Sequence, residues 1–460
     1  IVIRGAGVGK TFLLNTQTSM RDKHLIRFEG AGSGWTTVPS GSPVISLTKD
    51  VLGPTKTITV QNASSFAVGE WVIVRSDITN SWADEHNEPE WRDKSGSFFG
   101  MIYLRQITAR NTTSNTLTLD IPIRYAMKVR DNARVYRAPA MMSEVGIEQL
   151  SIGNAQLGAS SGWGEEDYKT SGTPAYNAHA SYLVVFERVR NGWMRDVESY
   201  KPASNSSGAH LLSNGLLLSN TRGVTVERCH FQRAQYGGGG GNGYMYRLSG
   251  QENLLKDSKA TFARHGFVLS QMGASGNVFL NCYDKDGGKQ TGLSGSMNTS
   301  GRGSDHHMHF SHSNLFDNCT AENSNFQAAY RPYGSDPKHN LTAAHSVYWR
   351  TRGLGTQDPW VIHTQQSRYG YAIGTWGTVT AVKTSGTNSS SEPKTSPVDH
   401  TEGIGTGDGL YPQSLYADQL SKRIGGTSSS STASSSSTTS SSSHSSSSSV
   451  SSSSSSVARA

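Results

Sequence analysis

The chain has 460 residues and a formal net charge of +7, with 42 basic against 35 acidic side chains. That excess favours anionic partners, but it is modest, and neither a Lys/Arg run nor an aromatic-basic motif of the common nucleic-acid modules is present. Its three cysteines, Cys229, Cys282 and Cys319, lack the spacing of a metal motif, and no stretch is long and apolar enough to span a membrane.

The chain opens IVIRGAGVGKTFLL, and residues 5–11, GAGVGKT, look like a phosphate-binding loop. That pattern requires a glycine five positions before Gly9, and Arg4 stands there. The loop should also enter a helix, yet the Thr- and Leu-rich residues after it read as a strand. Gly5, Gly7 and Gly9 are therefore expected to be turn residues between strands, with Lys10 exposed and no nucleotide partner. The start, in mid-strand and without Met, implies that any signal peptide has been lost or removed.

Residues 56–137 contain alternating strands, KTITVQNASSFAVGEWVIVRSD and LRQITARNTTSNTLTLDIPI, joined by Asn/Ser-rich turns. They predict a small antiparallel β insertion. Beyond it, GIEQLSIGN, WMRDVESYK, VTVERCHFQ, NLLKDSKAT, VFLNCYDKD and LFDNCTAEN align. One column of this alignment holds Leu150, Val197, Cys229, Ser258, Cys282 and Cys319. Three residues earlier stand Ile147, Met194, Val226, Leu255, Phe279 and Phe316. The later spacings, from Val197 onward, run from 24 (258 to 282) to 37 (282 to 319) and lie in the range of solenoid repeats. None of these strands buries its apolar face alone, so stacking in parallel is the expected solution, with the cysteines as small inward hydrophobes. Asp196, Asp257, Asn281 and Asn318 precede the aligned column, and Asn and Asp suit a turn hydrogen-bonded to the next rung.

The central rungs concentrate chemistry. QYGGGGGNGYMYR contributes Tyr244, Tyr246 and Arg247, and ARHGF contributes Arg264 and His265, all candidates to bind substrate. In DHHMHF, strand alternation would place Asp305, His307 and His309 on one outer face, with His306, Met308 and Phe310 inward. A neutral histidine oriented by a carboxylate is a good general base near neutral pH. One rung on, FQAAYRPYG offers Tyr330 as a proton donor, Arg331 as a carboxylate neutraliser and Tyr333 as a further sugar contact. The carboxylates Asp284, Asp286 and Glu322 are alternative acid and base groups, Asp284 and Asp286 being expected on one face. His-x-His with those carboxylates could also chelate zinc, although the spacing fixes no third ligand, so a divalent metal is possible and no cofactor is required. GWGEEDYK (residues 162–169) reads as a solvated loop. Residues 401–426 supply one helical segment, expected to cap the repeat array, and from Thr427 the chain is almost pure serine, a composition that forms no packed core.

This combination resembles the parallel β-helix proteins of the pectate-lyase-like superfamily, whose first strands share the pattern IVIRGAG…TFL. The serine tail resembles the linkers of secreted polysaccharide-degrading enzymes of marine bacteria. The expected organisation is an all-β, right-handed parallel β-helix formed by residues 1–55 and 138–400, continuing into the helical cap and a serine linker over 427–460. The resemblance implies a secreted bacterial enzyme, a monomer tethered to a further carbohydrate-binding module. With the basic balance and the His/Tyr/Arg-rich rungs, a lyase cleaving a uronate-containing anionic polysaccharide is favoured. A glycoside hydrolase using Asp284, Asp286, Asp305 or Glu322 is the first alternative, and a non-catalytic, tailspike-like glycan binder the second. No calcium cluster of the pectate-lyase kind is recognisable, so that family's mechanism does not carry over directly.

Overall fold

Ile147, Met194, Val226, Leu255, Phe279 and Phe316 stand Cα opposite Cα on successive parallel strands. The column continues through Tyr348 and Ala372. This is the register anticipated from the aligned segments, and it arises from burial: a slip of one residue would turn each apolar side chain outward. The computed structural model, which describes residues 1–94, 96, 98–288, 303–332, 337–355, 359–385 and 397–428, is a parallel β-helix with an antiparallel insertion.

One turn of the helix illustrates the rest. The strand Tyr244–Gln251 leads into two short strands, Leu254–Lys256 and Lys259–Thr261, and the next turn begins at His265–Ser270. The short strands belong to a 17-stranded sheet and the long ones to an 11-stranded sheet, with the apolar core between them. Phe279 and Phe316 stack there with ring centroids 4.4 Å apart. The free cysteines Cys229, Cys282 and Cys319 are buried in the same core.

The corner between paired short strands is left-handed, with φ of 52° at Asp257, 53° at Asn281 and 54° at Asn318, and Asp196 has the same conformation, φ 51°, inside the strand Trp193–Ser199. Asn and Asp tolerate that conformation better than other residues with a Cβ. Their side chains also link rungs: Asn318 donates to Asn281 Oδ1 at 2.7 Å, and Asn281 donates to Asp257 Oδ1 at 3.0 Å.

At the start of the chain, Val2–Arg4 and Phe12–Asn15 both pair with the strand Gly146–Asn154. Gly5 turns between them so tightly that a Cβ there would lie 2.2 Å from the carbonyl of Gln149. The antiparallel sheet begins upstream of residue 56, because Val44–Ser46 pairs with Arg134–Arg137. Its apolar face makes a second core with Trp82, Trp91, Phe98 and Tyr103. The chain divides into two compact units, Ile1–Tyr416 and Ala417–Ala460. In the second, the described residues 417–428 are helical, and the serine tract beyond them lies outside the described residues.

Candidate functional site

Three neighbouring long strands, Tyr244–Gln251, His265–Ser270 and Ser304–Met308, build one wall of a cleft of about 410 Å³. Tyr244 pairs with His265 across the first two. Asp305 pairs with Val268 and His306 with Leu269, but Ser270 is opposite Met308, so His307 is an extra residue in the ladder. Such a bulge re-aims side chains. His306 remains inward, facing the rings of Phe316 and Tyr348, whereas His307 and Met308 both line the cleft. Unbroken alternation would turn Met308 inward, and the bulge is why it lines the cleft instead.

Around His307 the polar atoms converge. Its Nδ1 lies 3.0 Å from Asp305 Oδ2, and its Nε2 lies 3.0 Å from the Tyr244 hydroxyl. Arg331 Nη2 donates to Asp305 Oδ2 at 2.9 Å and to the His307 carbonyl at 2.8 Å. His265 places Nδ1 2.8 Å from the Gly303 carbonyl and 3.6 Å from Asp305 Oδ1. Arg247, Arg264 and His339 complete this side of the cleft, and the His339 ring lies edge-on to His307 with centroids 5.3 Å apart.

The opposite rim comes from residues 165–169 with the glycine run. Gly239 N–H donates to the Glu165 carbonyl at 2.8 Å, and a Cβ on Gly240 would lie 2.5 Å from the Tyr168 ring. The glycines are thus what let the two loops meet. Glu165, Glu166, Tyr168 and Lys169 reach the cleft from this side, and Glu165, Glu166 and Lys169 remain exposed as expected of a solvated GWGEEDYK loop.

Burial alone would raise the Asp305 carboxyl, but His265, His307 and Arg331 around it more than offset that and hold it well below the usual carboxylate range. Burial, reinforced by Arg331 and opposed by Asp305, holds His307 well below 6.5. Burial likewise lowers His265 to about 4 and raises the Tyr244 phenol above 10.0. At neutral pH, then, Asp305 is ionised, both imidazoles are neutral and Tyr244 is protonated. The ionised Asp305 selects the Nδ1–H tautomer of His307, leaving the Nε2 lone pair toward the Tyr244 hydroxyl. The site therefore holds a base and an acid side by side.

His265, Asp305 and His307 each offer a ligand atom within 4.8 Å of the others, a donor set suited to a divalent cation. Arg331, already on Asp305 Oδ2, places a positive charge where such an ion would sit and opposes its binding.

The cleft brings together Tyr244, Arg247, Arg264, His265, Asp305, His307 and Arg331, and leaves out the other residues singled out in the sequence. His309 does not share the His307 face. Past the bulge its ring is buried edge-on to Phe98 and Trp91 of the insertion. Tyr330 is buried in the insertion core and does not line the cleft, so it is not placed to serve as the acid there. Tyr246 turns inward between Phe231 and Phe267, donating its hydroxyl to the Lys259 carbonyl at 3.0 Å.

The carboxylates do not pair. Asp284 points into the solenoid, where Ser304 Oγ donates to it at 2.6 Å and burial raises it to about 7. Asp286 occupies a left-handed corner with φ of 54°, accepting from Asn323 at 3.1 Å, so the two do not share a face. Glu322 lies on the short-strand sheet beside Lys285 Nζ at 2.6 Å. Tyr333 lies outside the described residues. A separate depression of about 300 Å³ lies beside the insertion, where His86 stacks on Trp82 and bonds to Tyr125 in a packed arrangement.

No family model matches the chain, and no curated protein matches it. Among solved structures it is similar to the tailspike protein gp49 from Pseudomonas phage LKA1, at 10% identity and a TM-score of 0.39 over 87% of this chain and 68% of that one. The Pseudomonas phage phi297 tailspike gp61 aligns at 13% identity and a TM-score of 0.30, over 83% of this chain and 71% of that one. The gp54 tailspike of Acinetobacter baumannii bacteriophage AP22, solved with a capsular saccharide, aligns at 10% identity and a TM-score of 0.28, over 87% and 71%. The fold assignment itself rests on the strand pairings above.

Proposed function

We propose that this chain cleaves an anionic, uronate-containing polysaccharide outside the cell by β-elimination in the Tyr244–His307 cleft. The observation that carries the reading is the hydrogen-bonded pair itself, a phenol donating to a neutral imidazole that Asp305 and Arg331 hold in place. Elimination needs a base for the proton on C5, an acid for the leaving oxygen on C4, and cations near the carboxylate.

In this chemistry His307 Nε2 takes the C5 proton, the freed electron pair forms the C4–C5 double bond, and the C4–O bond breaks. Tyr244 gives its proton to the departing oxygen. The resulting imidazolium and phenolate face each other across the same hydrogen bond, so the proton returns from His307 to Tyr244 and the site is restored. Arg264, Arg247 and Arg331 line the cleft where the substrate carboxylate gathers charge. Asp305 is a positioning residue that keeps the His307 tautomer.

A hydrolase would draw on Glu165 or Glu166 at the rim, with Asp305 opposite. Asp305 is 1% exposed and held by Arg331 and His307, which suits orientation rather than attack. Incubation with uronate and neutral glycans tests these readings. New ultraviolet-absorbing unsaturated ends identify a lyase, reducing ends without that absorbance a hydrolase, and binding without cleavage a glycan-binding solenoid.

A further inference from the structure

We infer that the site eliminates across one face of the sugar ring, and that its substrate is a 4-linked uronate of D-gluco or D-manno configuration. The inference rests on the lyase reading above and goes beyond it by fixing which uronates fit. Tyr244 Oη and His307 Nε2 lie 3.0 Å apart. Two groups that touch each other reach two neighbouring substrate atoms only when those atoms lie on the same face of the ring, because a reacting pair must close to about 3–3.5 Å. An acid and a base serving opposite faces would need the ring between them, and a contact hydrogen bond leaves no room for it.

The surroundings reinforce the one-sided arrangement. Tyr244 is 1% exposed and Asp305 supports His307 from behind, so neither group can swing across the cleft without leaving its partners. Arg331 is fixed on the same side by its contacts with Asp305 and the His307 carbonyl. The far rim offers Glu165, Glu166, Tyr168 and Lys169, and there Lys169 is ion-paired with Glu166.

Stereochemistry then sorts the uronates. In D-glucuronate and D-mannuronate the C5 hydrogen and the C4 oxygen are cis. In D-galacturonate, L-guluronate and L-iduronate they are trans. A contact acid–base pair on one face serves the first group, where the C5 proton moves to His307 Nε2 and the Tyr244 proton to O4 from the same side. In the second group one of those transfers would have to pass through the ring.

Two pairs of polymers give the test: polymannuronate against polyguluronate, which differ at C5 alone, and a β-4-linked glucuronan against α-4-linked polygalacturonate, which differ at C4 and in the anomeric linkage. The expected result is unsaturated ends from a cis polymer, with a rate preference on the order of 100-fold or more over its trans counterpart. Unsaturated ends formed faster from polyguluronate or polygalacturonate would overturn the stereochemical inference and leave the lyase reading standing. Reducing ends without unsaturation would overturn the lyase reading itself, and cleavage of none of the four would overturn both. Tyr244→Phe should abolish the preferred cleavage while retaining binding of the cis polymer in the same assay buffer. If Tyr244→Phe keeps full rate on that polymer, the phenol is not the same-face acid and the inference fails.

Discussion

Tyr244 and His307 stand on strands separated by the one that carries His265, yet the Tyr244 hydroxyl and His307 Nε2 meet at 3.0 Å. His307 shares the outward face of Asp305, and the ladder irregularity beside it brings Met308 into the same cleft. On either side of the pair lie Arg264, which donates to the Gly238 carbonyl at 2.9 Å, and Arg331 on Asp305.

Removing either member of the pair should therefore abolish turnover while leaving the solenoid intact. His307→Ala and Tyr244→Phe are each expected to lower kcat by about 10²–10⁴-fold with little change in KM, which steady-state kinetics on a cleaved polymer would show. The double variant should be no worse than the poorer single one, since the two act as a unit.

The pH profile is set by the shifted groups. His307 is held well below 6.5, so it is already the free base at neutral pH, and the rate should fall only as pH drops far enough to protonate it. Tyr244 is raised above 10.0, so its proton should be lost only in strongly alkaline solution. A flat kcat between roughly pH 6 and 9 is expected. A limb centred on the ordinary histidine value would show that His307 is not the base.

Arg331 neutralises a carboxylate that is almost completely shielded from water, so its loss has a structural cost as well as a catalytic one. Arg331→Ala should lower stability by about 3–5 kcal/mol in denaturant titrations, the penalty of leaving a buried charge unpaired. Asp305→Asn, which removes that charge but also the orientation of His307, should fold more readily than Arg331→Ala and still lose most activity. Restored activity on combining the two would argue against the positioning role.

Asp284 separates the lyase from a carboxylate hydrolase. Its carboxyl is raised to about 7, so the neutral form favours folding at low pH, and that contribution is lost as pH rises through about 7. Asp284→Asn should accordingly be neutral in stability only below about pH 4 and become progressively stabilising as pH rises toward 7, by as much as about 4 kcal/mol at pH 8, with activity retained. Loss of activity with unchanged stability would return Asp284 to a catalytic role.

Chelation addresses the cation reading of His265, Asp305 and His307. With Arg331 seated on Asp305, dialysis against a chelator should leave the rate unchanged. A loss restored by one divalent ion would make the triad a metal site.

Much of the fold is legible in the sequence because burial leaves a periodic mark. The Ile147-to-Phe316 column and the Asp257–Asn281–Asn318 corners are readable as aligned residues, one from the core, the other from the left-handed turn that Asn and Asp tolerate. The site is half legible. Tyr244, Arg264, His265, His307 and Arg331 stand out as polar groups on neighbouring rungs. His309 is misplaced by strand alternation because it assumes an unbroken ladder, whereas the bulge at His307 and the insertion's Trp91 and Phe98 re-sort the residues beyond it, and Tyr330, singled out for its chemistry, is taken into the insertion core. Tyr168 and His339 escape a sequence reading, since loops brought together in space carry no period. The one available signal is the glycine run 237–241, which marks a close approach without saying of what.

The mass balance of the products tests the central claim most directly. A defined uronate oligosaccharide is digested and its fragments weighed by mass spectrometry. Elimination by Tyr244 and His307 predicts two fragments whose masses sum to that of the substrate, one of them unsaturated, with none formed by His307→Ala. Fragments that together exceed the substrate by one water would show hydrolysis and contradict it.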